Sequence, residues 1–452
     1  MFHLEHVSCP KDRPKSGRRF SGAISLYSLP RLCLHLRPGG LPPTVYKIMS
    51  NTLPTVLLKP GEADRIVAGH PWIYRGSIIR LTQAADDGDI VQVKDHRQRL
   101  LGVGFFNSKS KINVRMLAAE RVEIDREFFA QRIREAADLR QRDLPEASSY
   151  RVVNSESDFL SGLIVDKYED VLAVQTASLG MDQRKALIIA VLRELFSPKA
   201  IIERNDVASR QFEGLPDASG VLAGNAPAKL DVRLNGLSFS APLLSGHKTG
   251  LYLDQQVNYQ LVADLIARRK GSQVLDCFCF LGGFALHAAR AGASHVHGLD
   301  QSADAVESAT RNAVANKLGD RCSFEEGNVF DWLRNQTKTG PNEKLLPRFD
   351  AIILDPPSFT RNRASVDDAL RGYKEIHLRA MKLVKRGGVL ATFCCSHHVD
   401  QTLFQNVILA AAFDARRVLR RIATFQQGPD HPVIPSIPET EYLKGFAFEV
   451  VR

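Results

Sequence analysis

The sequence lacks long apolar runs and has few cysteines, and both absences narrow the classes of protein to which it can belong. Without a run of about 18 apolar residues, no transmembrane helix is expected. Seven cysteines in 452 residues exclude a small disulfide-stabilised scaffold, and none of them has the CxxC spacing of a zinc site. We interpret them as free thiols in a reducing cytosol. The sequence therefore predicts a cytoplasmic protein without a membrane or metal partner.

The charge is also unevenly distributed along the chain. With 44% hydrophobic and 24% charged residues, the composition is that of a globular protein. The net charge is +10, and residues 1–49 alone contribute a balance of +6, which leaves +4 for the rest. The folded part is therefore only mildly basic, which permits a nucleic-acid partner but does not require one.

Residues 1–52 form a basic extension rich in Arg, Pro, Gly and Ser, with no sustained hydrophobic period. Three interpretations compete for it. It could be a disordered basic tail or a transit-like peptide. It could also be an over-extended translation start with Met49 as the true initiator, which we favour because a credible domain begins just after Met49.

Three regions with different patterns follow. Residues 53–122 contain short strand-like runs with regular turn signals, which predict a small β-barrel. Residues 123–240 begin with an amphipathic helix at 125–142 and continue with strands near 163–165, 171–175 and 200–203 and a helix at 182–196, which predict a small central α/β domain. Residues 241–452 alternate strands and helices, which predicts a doubly wound parallel sheet of the α/β class.

The ends of the predicted strands in the last region carry a constellation suited to a cofactor. In an open α/β sheet, ligands bind outside the carboxyl ends of the strands. Asp276 ends the first of these strands, and Gly282 and Gly283 follow before a helix begins. Asp300 ends the second strand, where a carboxylate can accept hydrogen bonds from both ribose hydroxyls. The glycines alone are equally typical of a tight turn, and Asp300 of a helix N-terminal charge.

Two further strand ends complete the pattern. Asn328 follows the third strand, where it could pair with an adenine edge or cap the next helix. Asp355 ends the fourth strand and is followed by two prolines, which stiffen the loop. The joint spacing favours an adenosine-type cofactor, and the Asp-Pro-Pro loop favours S-adenosylmethionine over a nicotinamide.

The fifth strand ends with two consecutive cysteines, Cys394 and Cys395, at the same predicted sheet edge as Asp355. Carbon 5 of a pyrimidine is a poor nucleophile until a thiolate adds at carbon 6. A nearby carboxyl group would stabilise that adduct. Asp355 and one of the two cysteines, Cys394 or Cys395, are therefore candidate catalytic residues. The alternative is an ordinary buried cysteine, the commonest role of a free thiol.

Several segments together resemble the RlmI-type family of ribosomal RNA large-subunit methyltransferases, and they run in order from about residue 55 to residue 450. These segments are GHPWIYRGSI, ESDFLSGLIVD, GHKTGLYLDQ, LDCFCFLGGFA, LDPPSF, RGYKEIH, FCCS and DHPVIPSIPETEYLKGFA. The resemblance implies a PUA-like RNA-binding domain at 53–122, a central domain at 123–240 and a class I methyltransferase domain at 241–452. It also implies 5-methylation of a cytosine in large-subunit ribosomal RNA, and leaves a homodimer open.

The resemblance also assigns roles to residues. It selects Cys395 over Cys394 as the nucleophile, because Cys395 occupies the second position of the fifth-strand motif. It places the loop at 248–255 over the cofactor, so that Tyr252 and Gln255 become candidate cofactor contacts. This sequence departs from the family at Asn328, where an Asp is frequent, and at Leu281, where a small polar residue is usual.

One further stretch suits single-stranded RNA. Arg371, Tyr373 and Lys374 combine an aromatic ring with cations, so that bases could stack and phosphates could pair. A solvated helix face is the alternative. Two other functions compete with cytosine methylation: amino-group methylation of a base at the Asp-Pro-Pro loop, and a non-catalytic RNA-binding assembly factor with a degenerate cofactor site.

Overall fold

The computed structural model describes residues 53–244, 250–269, 271–338, 345–360 and 363–452. The predicted basic extension at 1–52 lies outside these residues. Within the described ranges, no helix is long and apolar enough to cross a membrane. In the same ranges, no group of three or more His, Cys, Asp or Glu side chains is arranged to hold a metal ion.

The first described part is a six-stranded sheet with a core of its own. Val56, Val91 and Val114 point inward and have no exposed surface. The strand order is β2-β6-β5-β4-β1-β3, and β1 and β4 are its parallel pair. The strands are β1 (Thr55–Leu58), β2 (Trp72–Tyr74), β3 (Ile78–Leu81), β4 (Ile90–Lys94), β5 (Leu100–Phe106) and β6 (Ile112–Ala118), with helix α1 (Asp64–Val67) after β1. Strand β3 was not expected from the sequence, and two of its four residues are exposed.

A five-stranded sheet follows, in the order β11-β10-β9-β8-β7, covered by helices. Asp125 begins the first helix, because its carboxylate accepts a hydrogen bond from the Phe128 amide at 3.0 Å. The elements are α2 (Arg126–Asp143), β7 (Ser149–Asn154), β8 (Leu163–Tyr168), β9 (Val171–Thr176), α3 (Leu179–Gln183), α4 (Lys185–Phe196), β10 (Ala200–Arg204) and β11 (Ser219–Gly224). The helix predicted at 182–196 is therefore two helices, which meet at Arg184.

A β-hairpin, β12 (Leu230–Leu234) and β13 (Leu237–Ala241), precedes the last sheet and was not expected from the sequence. Its signal is the Asn235-Gly236 pair between two alternating runs, since both residues have positive φ, at 50° and 81°. Val232 and Phe239 bury their side chains against the helices of the last region.

The last part is the predicted doubly wound sheet, with the order β16-β15-β14-β17-β18-β20-β19. The first five strands are parallel, whereas β20 lies antiparallel between β18 and β19. The strands are β14 (Gln273–Cys277), β15 (His295–Asp300), β16 (Cys322–Glu326), β17 (Phe349–Leu354), β18 (Val384–Cys394), β19 (Leu419–Gln426) and β20 (Lys444–Val450). The strand order reverses between β14 and β17, and ligands bind at such a reversal.

Helices cover both faces of this sheet, as a parallel sheet requires. They are α5 (Gln256–Ala267), α6 (Gly283–Arg290), α7 (Ala303–Ala315), α8 (Val329–Gln336), α9 (Val366–Leu383) and α10 (Gln401–Asp414). The central strands are apolar on both sides: Ile352, Ile353 and Leu354 have no exposed surface. The sheet core therefore fixes where the strand ends, and the polar residues that follow them, meet.

Polar contacts join the three parts of the chain. His70, which precedes β2, is buried, and its Nε2–H donates to Glu439 of the loop before β20 at 2.9 Å. Arg140 of α2 forms a buried ion pair with Asp158 and also donates to the Asp430 carbonyl at 2.8 Å. The loop at 427–443 thus contacts both preceding parts and runs directly into β20.

Candidate active site

Asp276 lies at the end of β14, buried beneath the glycine turn. Its Oδ2 accepts a hydrogen bond from the Ala285 amide at 2.9 Å, which anchors the first turn of α6. Its Oδ1 is buried and has no hydrogen-bond partner among the described residues. Burial, and then the charge of Asp355, raise the pKa of the Asp276 carboxyl well above its usual value. An acceptor left unpaired in this way is suited to a donor group of a ligand.

The turn between β14 and α6 is tightly constrained by sterics and by the neighbouring strand. Gly282 has a φ of 85°, and a Cβ there would lie 2.6 Å from Leu286 Cδ1. At Gly283 a Cβ would lie 2.6 Å from the Tyr259 ring. The Phe280 amide donates to Asp300 Oδ2 at 2.9 Å, which ties the turn to the end of β15. The two glycines are therefore required for a backbone cradle at the strand ends.

Asp300 and Asn328 lie at the ends of the next two strands. Asp300 is half-buried, and its other carboxylate oxygen accepts from the Ser302 amide at 3.0 Å. The side-chain oxygen of Asn328 accepts from the Phe330 and Asp331 amides at 3.0 and 3.3 Å. Of the two alternatives left by the sequence, Asn328 thus serves as the cap of α8. Its amide nitrogen is not needed for that cap.

Leu281, one of the two departures from the family pattern, does not line this cradle. Its side chain is buried in the core with 3% exposure and contacts the apolar residues beneath the sheet. Its carbonyl accepts a hydrogen bond from Asn312 of α7 at 3.1 Å. The substitution therefore bears on packing behind the turn.

The segment before α5 lies over Asp355 and the glycine turn. Gln255 is buried, and its Nε2 donates to Asp355 Oδ2 at 3.1 Å. The Tyr252 ring packs edge-on against Phe280 with centroids 5.1 Å apart. Burial, and then the charge of Asp355, raise the pKa of the Tyr252 hydroxyl. The structure thus brings Tyr252, Gln255 and Asp355 together with the cradle; residues 248 and 249 of the predicted loop lie outside the described residues.

The two cysteines at the end of β18 face opposite sides of the sheet. Cys394 has no exposed surface and packs in the core formed with α9 and α10. Cys395 is partly exposed, and its Sγ lies 3.9 Å from the Pro356 carbonyl of the Asp-Pro-Pro loop. Alternation along a strand explains the difference. Cys395 is therefore the cysteine placed at the edge that carries Asp355.

Lys444, at the start of β20, supports the turn that follows Cys395. Its buried Nζ donates to the carbonyls of Ser396 and Val399 at 2.8 and 2.6 Å. Burial lowers the pKa of this ammonium, although the thiols of Cys394 and Cys395 act to raise it. Lys444 was not singled out from the sequence, although it lies within the EYLKGFA segment.

The three residues expected to contact RNA on α9 have different positions. Tyr373 has no exposed surface, and its hydroxyl shares a hydrogen bond with Ser396 Oγ at 3.1 Å. Ser396 in turn bonds Ser358 Oγ of the Asp-Pro-Pro loop at 2.9 Å. Tyr373 therefore holds the two loops together and cannot stack on a base in this position. Its place in the sequence explains this, because Ala369, Ile376 and Ala380 share the same buried helix face.

Arg371 and Lys374 lie on the outer side of α9 and are both paired with acids. Arg371 contacts Asp368, three residues earlier on the same helix. Lys374 forms an ion pair with Asp414 of α10 at 2.8 Å. Both side chains therefore lie on a solvated helix face, which was the alternative to RNA contact.

A cationic cleft in the first sheet is a feature that was not expected from the sequence. It has a volume of about 300 Å³ and is lined by Tyr74, Arg75, Gly76, Lys109, Ser110 and Lys111. Lys109 and Lys111 are exposed and form no ion pair with any residue that the structure describes. Arg65 stacks over the Tyr74 ring at 5.5 Å and pairs with Glu439 at 3.2 Å. The cleft therefore adjoins the loop at 427–443.

Comparison with protein families matches two regions of this chain. Residues 56–119 match a PUA-like domain, and residues 200–435 match an S-adenosylmethionine-dependent methyltransferase domain. Among solved structures, a chain described as an S-adenosylmethionine-dependent methyltransferase from Streptococcus mutans superposes with a TM-score of 0.72 and 20% identity. The match covers 88% of this chain and all of that one, and it supports the fold.

Curated relatives are similar over most of the chain. The ribosomal RNA large subunit methyltransferase I of Shewanella amazonensis is 39% identical over 400 residues, which cover 87% of this chain and 99% of the relative. The protein of the same name from Vibrio vulnificus is 36% identical over 403 residues, with 88% and 99% coverage. The fold and the strand-end site define an S-adenosylmethionine-dependent methyltransferase with a PUA-like domain. Within that class, the chain belongs to the family of ribosomal RNA large subunit methyltransferase I.

Proposed function

We propose that this protein transfers a methyl group to carbon 5 of a cytosine in large-subunit ribosomal RNA, with Cys395 as the nucleophile. One observation carries the chemistry: the partly exposed thiol of Cys395 lies against the Asp-Pro-Pro loop, with Asp355 at the same sheet edge. The names of the curated relatives support ribosomal RNA as the substrate. They do not specify the base or the atom.

The residues around the glycine turn fit the cofactor. The unpaired Oδ1 of Asp276 is suited to a donor of the methionine part, and Gly282 and Gly283 let the turn pack closely against Leu286 and Tyr259 and so form the backbone cradle. We assign Asp300 to the ribose, Asn328 to the adenine through its free amide nitrogen, and Tyr252, Gln255 and Asp355 to the side of the site that faces the methyl group. When bound, S-adenosylmethionine supplies a methyl group on a sulfonium sulfur.

The chemistry at the base follows from these positions. The Cys395 thiolate adds to carbon 6 of cytosine, and the electrons of the 5,6 double bond make carbon 5 nucleophilic. Carbon 5 then takes the methyl group. Loss of the carbon 5 proton to solvent restores the double bond and expels the thiolate. Asp355, whose Oδ2 accepts a hydrogen bond from Gln255, stabilises the adduct at the ring nitrogen or the amino group.

The rest of the chain supplies surfaces for the RNA. We assign residues 53–122 to RNA binding, with the cationic cleft as the place where the phosphate backbone is held. Residues 123–240 join this domain to the methyltransferase domain at 241–452. We also assign Arg371 and Lys374 to RNA contact at the outer side of α9. In the complex each would pair with a phosphate instead of its acidic partner. We propose that the protein acts in the cytoplasm.

Nucleoside mass spectrometry tests this proposal. The purified protein is incubated with unmodified large-subunit RNA and cofactor, and the RNA is digested to nucleosides. We expect 5-methylcytidine as the product, and we expect it to be absent from the ribosomal RNA of cells that lack the protein. A methyl group on an exocyclic amine would support the amino-group alternative, and the absence of methylation would support the assembly-factor alternative.

A further inference from the structure

A buried pair of amide side chains lies beside Asp355 at the start of α5. Gln255 and Asn258 are 3% and 1% exposed and are separated by one helical turn. Asn258 Nδ2 donates to Gln255 Oε1 at 2.7 Å, and Gln255 Nε2 donates to Asp355 Oδ2 at 3.1 Å. Asn258 Nδ2 also donates to the Gln426 carbonyl, at the end of β19, at 2.9 Å. These hydrogen bonds form one continuous chain from β19 to Asp355.

The chain of hydrogen bonds has a single consistent direction. The Gln426 carbonyl can only accept, so Asn258 must turn its amide nitrogen toward it. The second proton of that nitrogen then faces Gln255, which must present its oxygen. The Gln255 nitrogen is thereby left to face the carboxylate of Asp355. In the opposite direction, the Gln255 oxygen would meet a carboxylate oxygen, and two acceptors would repel each other.

We propose that Asn258 is a positioning residue for methyl transfer, because it orients the Gln255 amide so that an N–H group faces Asp355. This inference rests on the proposed function only in that Asp355 acts in the reaction. Asn258 touches none of the reacting atoms. Its contribution is to keep an N–H donor of Gln255 on Oδ2 of Asp355. A hydrogen bond to a charged group is among the stronger ones in proteins.

Two substitutions at Asn258 separate this role from a structural one. Asn258 Nδ2 faces both the Gln426 carbonyl and Gln255, so in Asn258→Asp a carboxyl oxygen takes its place. When protonated, that oxygen can donate to the Gln426 carbonyl and accept from the Gln255 nitrogen, so the Gln255 amide reverses. In Asn258→Leu, a side chain of similar size leaves the Gln426 carbonyl and the Gln255 oxygen unpaired, but it does not force the reversal. The aspartate variant should therefore be the less active, and the leucine variant the less stable.

The experiment measures kcat at saturating RNA and cofactor from total incorporation of labelled methyl groups, and the melting temperature of each variant. We expect Asn258→Asp to reduce kcat at least tenfold, and Asn258→Leu to reduce it less while lowering the melting temperature more. The proposal would be overturned if Asn258→Leu had both the lower kcat and the lower melting temperature. A wild-type kcat in Asn258→Asp would also overturn it. The methylated position is determined separately. A position other than carbon 5 would refute the proposed function, whereas the comparison of kcat between the two variants would still test the role of Asn258.

Discussion

Cys394 and Cys395 are adjacent in the chain but lie on opposite sides of β18. Cys394 packs in the apolar core, whereas the Cys395 thiol lies 3.9 Å from the Pro356 carbonyl at the sheet edge. Only one of the two can therefore reach a base held beside Asp355. Which thiol acts as the nucleophile therefore depends on the side of the strand that each cysteine faces.

Replacing Cys395 should separate catalysis from cofactor binding. We expect Cys395→Ala to abolish methyl transfer while leaving the affinity for S-adenosylmethionine near the wild-type value, because the thiol is needed for attack and not for holding the cofactor. Methyl incorporation and calorimetric titration measure the two properties. The matched control is Cys394→Ser, which should keep substantial activity at a stability cost of about 1 kcal/mol for burying a hydroxyl in the core. An inactive Cys394→Ser with an active Cys395→Ala would show that the wrong thiol has been chosen.

Asp300 should contribute strongly to the affinity for the cofactor. Its carboxylate already anchors the glycine turn through the Phe280 amide, and the ribose would add two further donors. We expect Asp300→Ala to weaken S-adenosylmethionine binding at least tenfold, since hydrogen bonds to a charged group contribute about 1.5–3 kcal/mol each. Glu326 ends the neighbouring strand and is exposed, so Glu326→Ala serves as the control with affinity unchanged. An unchanged affinity in Asp300→Ala would remove Asp300 from the site.

The cationic cleft should determine the salt dependence of RNA binding. Lys109 and Lys111 are exposed and unpaired within the described residues, so each could neutralise a phosphate. We expect Lys109→Ala with Lys111→Ala to weaken binding and to reduce the slope of log K against log salt by about 0.7 to 0.9 for each phosphate that the variant no longer neutralises. Lys229→Ala, at an exposed site in the central part of the chain, should leave the slope unchanged. Equal slopes in all variants would mean that the RNA lies elsewhere.

Two buried histidines should make the fold sensitive to acid. Burial lowers the pKa values of His287 and His377 to about 4. Each Nδ1–H donates to a backbone carbonyl, at 2.7 and 2.6 Å. His287 Nε2 faces the amide nitrogen of Asn235, so a proton there would have no acceptor, and His377 Nε2 shares a hydrogen bond with the Thr392 hydroxyl. Below pH 6.5 the unfolded chain binds protons that the folded chain does not, so stability falls as the pH drops from about 6.5 to about 4.

The expected decrease in unfolding free energy is about 3 kcal/mol for each of these histidines over that interval. Denaturant titrations at pH 7 and about pH 4.5 measure it. His377→Gln should reduce the difference in unfolding free energy between the two pH values, whereas His96→Gln, at an exposed position, should not. A difference that is the same in wild type and His377→Gln would contradict a neutral buried imidazole.

The sequence predicted the features that depend on hydrophobic periodicity and on strand ends. The strands of the doubly wound sheet are apolar on both sides, so their runs stand out, and Asp276, Asp300 and Asp355 follow from where those runs stop. The hairpin β12–β13 was missed, although its Asn-Gly turn is a strong local signal. Its strands are short and half polar, which resembles a loop by composition.

Other features depend on contacts between distant parts of the chain. The prediction that Tyr373 contacts RNA at the surface was wrong. It followed from the mixture of aromatic and cationic residues, whereas the helical period places Tyr373 on the buried face. Asn258 lies three residues after Gln255, a spacing that puts both on one side of a helix. Its second partner is the Gln426 carbonyl, which is 168 residues away and is brought near only by the fold.

The most direct test of the central claim is the trapping of a covalent complex on RNA that contains 5-fluorocytidine. Fluorine at carbon 5 prevents the loss of a proton that would release the thiolate, so the enzyme should remain attached after methyl transfer. We expect wild type and Cys394→Ser to give a protein–RNA band that resists denaturing electrophoresis in the presence of S-adenosylmethionine, with the link mapped to Cys395 by mass spectrometry. Cys395→Ala should give none. Methylation of normal RNA without such a complex, or a complex that persists in Cys395→Ala, would contradict the account.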